Sequence, residues 1–173
     1  YTAKLVGMEI SNLLVHPAEI GGGFGGKTVV YVEPMAVLLS RKTGLPVKIM
    51  MSREDVFKST GPTSGSSMTV KIGVKKDGTL VAAEGLFKFQ AGAFPGSPVM
   101  NATMCAFAPY IIPNVKSVGF DVVSNRPKSA AYRAPGSPIS AFAVESVLDI
   151  LAKKIGMDPL KMRLKNAVKA GSP

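Results

Sequence analysis

The 173-residue sequence has no tryptophan, one cysteine and one histidine. With Cys105 alone, neither an internal disulfide nor a cysteine-cluster metal site can form. A lone cysteine and no visible secretion signal fit a reducing cytoplasm. His16 stands directly before Pro17, and no serine or cysteine can be tied to it as a nucleophile, so a catalytic triad finds no support. Acidic residues are scarce: 11 Asp and Glu face 21 Lys and Arg, for a formal net charge of +10. No apolar run reaches the ~18 residues that a membrane span needs.

A basic balance points to nucleic acid, an anionic membrane, or acidic ligands and partners. The basic residues are scattered, with small clusters at Lys75-Lys76 and Lys153-Lys154, and they are not interleaved with aromatics. No nucleic-acid motif accompanies them. A solvated basic face is the plain reading, a docking face for an acidic partner the next, and a basic nucleic-acid-binding module a further alternative. The length is that of one domain with mass for a sizeable core, so residues 1–173 are read as a single domain. The sequence starts at Tyr1 and stops at Gly171-Ser172-Pro173 straight after a helical pattern, which reads as a piece of a longer polypeptide.

What is abundant is glycine, and it is concentrated. Gly21-Gly22-Gly23-Phe24-Gly25-Gly26-Lys27-Thr28 puts five glycines into six positions. Glycine accepts backbone angles that other residues avoid and lets a ligand approach the main chain, at roughly 0.5–1 kcal/mol where ordinary structure would serve. Such a loop presents backbone N–H groups, and here Phe24, to something. Read as G-x-x-x-x-G-K-T, it is a P-loop match, with Lys27 for phosphates and Thr28 for magnesium. That motif needs an apolar strand before it and a helix after it. Pro17 and Glu19 interrupt the preceding stretch, and Pro34 falls where an unbroken first helix should run.

Elsewhere the chain alternates strand and helix signals. Residues 1–12 read as a helix end running into a turn, and Leu13–His16 as a short strand. Glu33–Arg41 has helical spacing, stopped at Thr43-Gly44. Pro46 opens an expected strand, Val47–Met51. Ser52-Arg53-Glu54-Asp55 resembles a capping box, so its two carboxylates belong to a helix start rather than to acid–base chemistry. Met68, Val70, Ile72 and Val74 alternate with Thr69, Lys71 and Gly73, and Asp77-Gly78 then turns the chain into a return strand, Leu80–Gln90. Residues 91–109 are small and apolar without clear periodicity, and fit either a pocket lining or an irregular connection. A strand is expected over Val115–Ser124 and a Pro-, Gly- and Ala-rich loop over Asn125–Ser137. A long helix follows to about Ile155, with an apolar stripe of Phe142, Val144, Val147, Leu148 and Leu151. Gly156 ends it, and Asp158-Pro159 starts the last helix. The fold class is α+β: a mixed or antiparallel sheet with a long β-hairpin and helices packed on it.

Several stretches together carry a resemblance. Ile20–Lys27 resembles the I/V-G-G-G-F-G-G-K loop of the molybdenum hydroxylases, the xanthine dehydrogenase and aldehyde oxidase family of molybdopterin-binding subunits. Thr43–Lys48, Ser52–Asp55 and Tyr110-Ile111-Ile112-Pro113-Asn114 are similar to family segments in the same order. Ala131-Tyr132-Arg133-Ala134-Pro135-Gly136 resembles the family's A-F/Y-R-G-x-G loop. Phe142–Glu145, Asp149 and Asp158–Asn166 resemble its closing helices, so the likeness covers nearly the whole chain.

The resemblance implies a fragment of the first molybdopterin-binding domain of a larger subunit. It implies molybdopterin, the molybdenum cofactor, held by Gly22, Gly23, Phe24, Gly25, Tyr132, Arg133 and Ala134. Backbone donors and a guanidinium suit the anionic oxygen and sulfur ligands of such a group. The implied activity is hydroxylation of carbon with water-derived oxygen, electrons leaving through iron–sulfur clusters and often FAD on other domains or subunits. The family's catalytic glutamate lies in a G-E segment that this sequence does not contain, so no catalytic residue and no directly ligated metal are expected here. A second molybdopterin-binding domain, an iron–sulfur subunit and an FAD subunit are the implied partners. Purine-type members have a glutamate where this chain has Thr28, and the carbon monoxide enzymes a copper-binding cysteine where it has Ala134. An aldehyde, an N-heterocycle or an aromatic acyl thioester remains as the implied substrate.

Overall fold

The computed structural model describes residues 1–172. The fold divides into two compact units: Tyr1–Pro62 with Ala130–Arg133, and Thr63–Ser129 with the chain from Ala134 onward.

The first unit is built from short helices and loops. α1 (Thr2–Val6) ends at Gly7 in the left-handed conformation and a 3-10 turn follows at Ile10–Asn12. α2 (Glu33–Thr43) starts with Pro34 in its first turn, where a missing N–H costs nothing, and stops at left-handed Gly44. The Arg41 guanidinium donates to the Val6 carbonyl at 2.9 Å, tying α2 to the end of α1. α3 (Arg53–Ser59) starts in the expected capping box: Asp55 N–H donates to Ser52 Oγ, and Ser52 N–H donates back to the Asp55 carboxylate. Those bonds lower the Asp55 pKa, the Ser52 side chain contributing most. The strands expected at Leu13–His16 and Val47–Met51 do not form. Apolar β-branched residues express a strand preference only against a partner strand, and these segments have none.

The second unit holds the sheet and the core. β1 (Ser66–Val74) and β2 (Leu80–Gly92) form the antiparallel hairpin, and β3 (Asn114–Val123) adds parallel to β2, giving the order β1-β2-β3. The sheet is therefore mixed. A parallel neighbour requires a crossover, and here it contains α4 (Val99–Cys105), a helix inside the stretch that showed no periodicity in the sequence. Only Ala102 of α4 is buried, so no repeating apolar stripe was needed to seat it.

The period-2 pattern of β2 sends Ala83, Phe87, Phe89 and Ala91 to the core, while Ala82, Glu84 and Lys88 stay exposed. α5 (Ser137–Lys154) covers that core with Val144, Leu148 and Ala152, and α6 (Pro159–Asn166) adds Met162. Phe142, expected in the apolar stripe of α5, is 75% exposed. The start of α5 packs so closely on α4 that a Cβ on Gly136 would lie 2.4 Å from the Pro98 carbonyl oxygen. No helix among the described residues is long and apolar enough to cross a membrane.

Candidate functional site

The glycine loop and the Ala131–Arg133 half of the second loop fall within the first unit. The glycine loop is a series of tight turns. Gly26 N–H donates to the Gly23 carbonyl at 2.8 Å, and the Thr28 hydroxyl donates to the Gly25 carbonyl at 2.8 Å. Phe24 adopts φ 50°, between Gly22 at 114° and Gly25 at 98°. A non-glycine residue held at positive φ is strained, and such residues cluster where a ligand is gripped. The Phe24 ring is 62% exposed rather than packed inward.

The second loop meets the first at one point. A Cβ on Gly25 would lie 2.9 Å from the Ala131 carbonyl oxygen and 3.0 Å from its Cβ. Only glycine allows this approach, and Ala131 is the residue that leads into Tyr132 and Arg133. Tyr132 is 61% exposed. Arg133 makes no hydrogen bond or ion pair among the described residues. Ala134, the next residue in the chain, has φ 55°, and its carbonyl accepts from Ser137 N–H at the start of α5.

Tyr31 is a contributor that the sequence did not announce. It sits in the apolar run Val29-Val30-Tyr31-Val32, where a tyrosine reads as filler. Its hydroxyl donates to the Gly26 carbonyl at 2.8 Å and accepts from Gly61 N–H at 3.3 Å. Its own N–H donates to the Glu33 carboxylate at 2.8 Å.

The donor set suits an anionic group. The N–H groups of Gly22, Gly23, Phe24 and Gly25 have no acceptor among the described residues. Successive amides in alternating turn conformations form a concave nest for anions, and an unpaired guanidinium is the side chain that best complements anionic oxygen. The P-loop arrangement is absent, because residues 13–20 form no strand and α2 begins only at Glu33. The Thr28 hydroxyl, assigned to magnesium in that reading, is taken by Gly25. No cluster of metal-ligating side chains occurs among the described residues.

The carboxylates of α3 and α5 are already engaged. Glu54 pairs with Lys58 one turn on. Glu145 accepts from the Tyr110 hydroxyl at 2.7 Å and from Arg163 Nε at 2.7 Å, while Arg163 also reaches Asp149 at 2.7 Å. Burial first, then the Glu145 carboxylate, pushes the Tyr110 phenol up to about 12.

A protein-family model described as molybdopterin cofactor-binding domain matches residues 1–167. The aldehyde oxidoreductase of Megalodesulfovibrio gigas is 36% identical over 169 residues, which cover 96% of this chain and 19% of that protein. The nicotinate dehydrogenase large molybdopterin subunit of Eubacterium barkeri is 33% identical over 173 residues, covering 98% of this chain and 41% of the relative. The solved structure of reconstituted CO dehydrogenase from Oligotropha carboxidovorans superposes with a TM-score of 0.86 at 26% identity, over 97% of this chain and 22% of that one. The chain thus spans between about a fifth and two fifths of the length of these relatives. Neither the nucleotide-binding nor the nucleic-acid reading gains support from these matches. With the glycine loop and the 131–136 loop both in place, the chain belongs to the molybdopterin cofactor-binding domains of the molybdenum hydroxylase family, the xanthine dehydrogenase and aldehyde oxidoreductase group.

Proposed function

We propose that this chain holds the metal-bearing end of molybdopterin within an oxidoreductase that hydroxylates an aldehyde, an N-heterocycle or an aromatic acyl thioester. The observation that carries the reading is the contact between Gly25 and Ala131. It brings four unpaired amide donors and the chain leading to the unpaired Arg133 into one small region of the first unit. When bound, the cofactor supplies two-electron redox chemistry.

The residues of this chain bind and orient. The N–H groups of Gly22, Gly23 and Phe24 donate to anionic oxygen or sulfur, and the Arg133 guanidinium neutralises the same charge from the other loop. Phe24, whose ring is exposed, would offer the group an apolar face. Tyr132 and Ala134 flank Arg133 in the chain, and both would border the cofactor with it. Residues 1–167, spanning both compact units, serve as one cofactor-binding domain. The second molybdopterin-binding domain, the iron–sulfur clusters and FAD belong to other parts of the enzyme, and relatives named as subunits support that organisation.

The test is metal analysis of the parent enzyme with Arg133→Ala. Cofactor affinity is expected to fall at least tenfold, and molybdenum content with it, because a charge-assisted contact is worth about 1.5–3 kcal/mol. Full occupancy with an unchanged molybdenum signal in electron paramagnetic resonance would overturn the assignment.

A further inference from the structure

We propose that Tyr31 is a positioning residue whose hydroxyl links the two cofactor loops into one hydrogen-bonded unit. The inference rests on the reading that these loops hold the cofactor. From the glycine loop, the Gly26 carbonyl accepts from Tyr31 Oη at 2.8 Å. Tyr31 Oη in turn accepts from Gly61 N–H at 3.3 Å. The next residue, Pro62, accepts through its carbonyl from Ala130 N–H at 2.9 Å. Ala130 opens the Ala130–Arg133 segment that holds Ala131 against Gly25. The path runs glycine loop, phenol, Gly61-Pro62, second loop, and every member lies in the first compact unit.

The hydroxyl is used at both ends. A phenol that donates to one carbonyl and accepts from one amide has its direction fixed by its neighbours. The Tyr31 backbone is itself anchored by its N–H bond to the Glu33 carboxylate at the first turn of α2. The loops themselves have few other restraints. The glycine loop makes one internal backbone bond, Gly26 to Gly23, and Phe24 is exposed. Removing the hydroxyl leaves Gly26 and Gly61 without their shared partner while the apolar ring stays in place. The loops then fluctuate separately, and Arg133 loses its fixed relation to the Gly22–Gly25 amides.

The experiment compares the parent holoenzyme with its Tyr31→Phe variant by hydrogen exchange and by the paramagnetic resonance of the partly reduced molybdenum. Exchange is expected to quicken about fivefold in peptides covering both residues 21–28 and residues 129–133, the factor that one net hydrogen bond of about 1 kcal/mol represents. The α5 amides near Leu148 serve as the unchanged reference. The molybdenum signal is expected to broaden or shift. Faster exchange in residues 21–28 alone overturns the link, as does uniform acceleration across residues 2–59, the mark of a ring that merely packs. Arg133→Ala separates the two layers of the argument. If it alters the molybdenum signal and Tyr31→Phe leaves signal and exchange unchanged, only the Tyr31 role falls; if Arg133→Ala also leaves the signal unchanged, the cofactor reading falls with it.

Discussion

Gly25 and Gly21 stand four residues apart in one loop and have opposite requirements. A Cβ at Gly25 meets the Ala131 carbonyl at 2.9 Å on a backbone with φ 98°, whereas a Cβ at Gly21 meets nothing within 4 Å and its φ is not positive. Gly25→Ala is therefore expected to strain the loop contact by about 1–3 kcal/mol, and Gly21→Ala to be close to neutral. Hydrogen exchange over residues 21–28 and 129–133 of the two variants checks this. Equal protection in both would mean that the loop contact is not what holds the segment. The same scale shows why Tyr31 could not be read from the sequence. Its role depends on Gly61, thirty residues away in the chain, and a hydroxyl carries no periodic signature.

Among the elements, α5 and α6 are joined by a charged and hydrogen-bonded cluster. Glu145 on α5 takes a bond from Tyr110 and an ion pair from Arg163 on α6, and Arg163 also pairs with Asp149. Burial lowers the Arg163 pKa, but the Asp149 and Glu145 carboxylates outweigh it and the net direction is up. Tyr110 titrates from 10.0 toward about 12 in the fold. Because the folded pKa is the higher one, the neutral phenol stabilises the fold fully below about pH 10, and this contribution is lost as pH rises through about 12. Wild-type protein is thus expected to exceed Tyr110→Phe in denaturant midpoint by a constant margin up to about pH 10. The margin should shrink above it. A margin that grows with alkalinity would contradict the assigned hydrogen bond. The end of α6 is fixed in a second way: buried Asn166 donates to the Gly78 and Met162 carbonyls and accepts from Leu80 N–H, locking the hairpin turn to the helix. The helices and the hairpin were legible from capping residues, Asp77-Gly78 and alternation. α4 was not, because a short helix that buries one alanine leaves no period to detect.

On the scale of the whole molecule, burial is uneven. Thr2, Ala3 and Val6 are the buried residues of the first unit, while the phenylalanine-rich core lies in the second. The isolated chain is therefore expected to fold cooperatively in its second unit and to show weak exchange protection in its first. It is also expected to be catalytically inert. A cofactor site usually encloses most of its ligand's surface, and the two loops make few contacts with which to do so alone. The carboxylates weighed as a base are committed elsewhere: Asp55 caps α3, Glu54 pairs with Lys58, and Glu145 is held by Tyr110 and Arg163. Dye reduction with aldehydes or heterocycles should be absent from the isolated chain supplied with cofactor, and present in the assembled parent enzyme. Turnover by the isolated chain that vanishes with Arg133→Ala would show that the active site lies within it.

The family, the glycine and arginine loops, the hairpin and the capped helix starts were all readable from the residues alone. Those features are written in residues close together in the chain, where spacing and side-chain type set the local geometry. Four features came from long-range packing: β3 runs parallel to β2, Val47–Met51 stays without a partner, Gly25 touches Ala131, and Tyr31 reaches Gly26 and Gly61. Each of these joins or fails to join segments that are distant in sequence. Whether they meet depends on close packing and on which donors find acceptors, and neither leaves a mark in the local pattern.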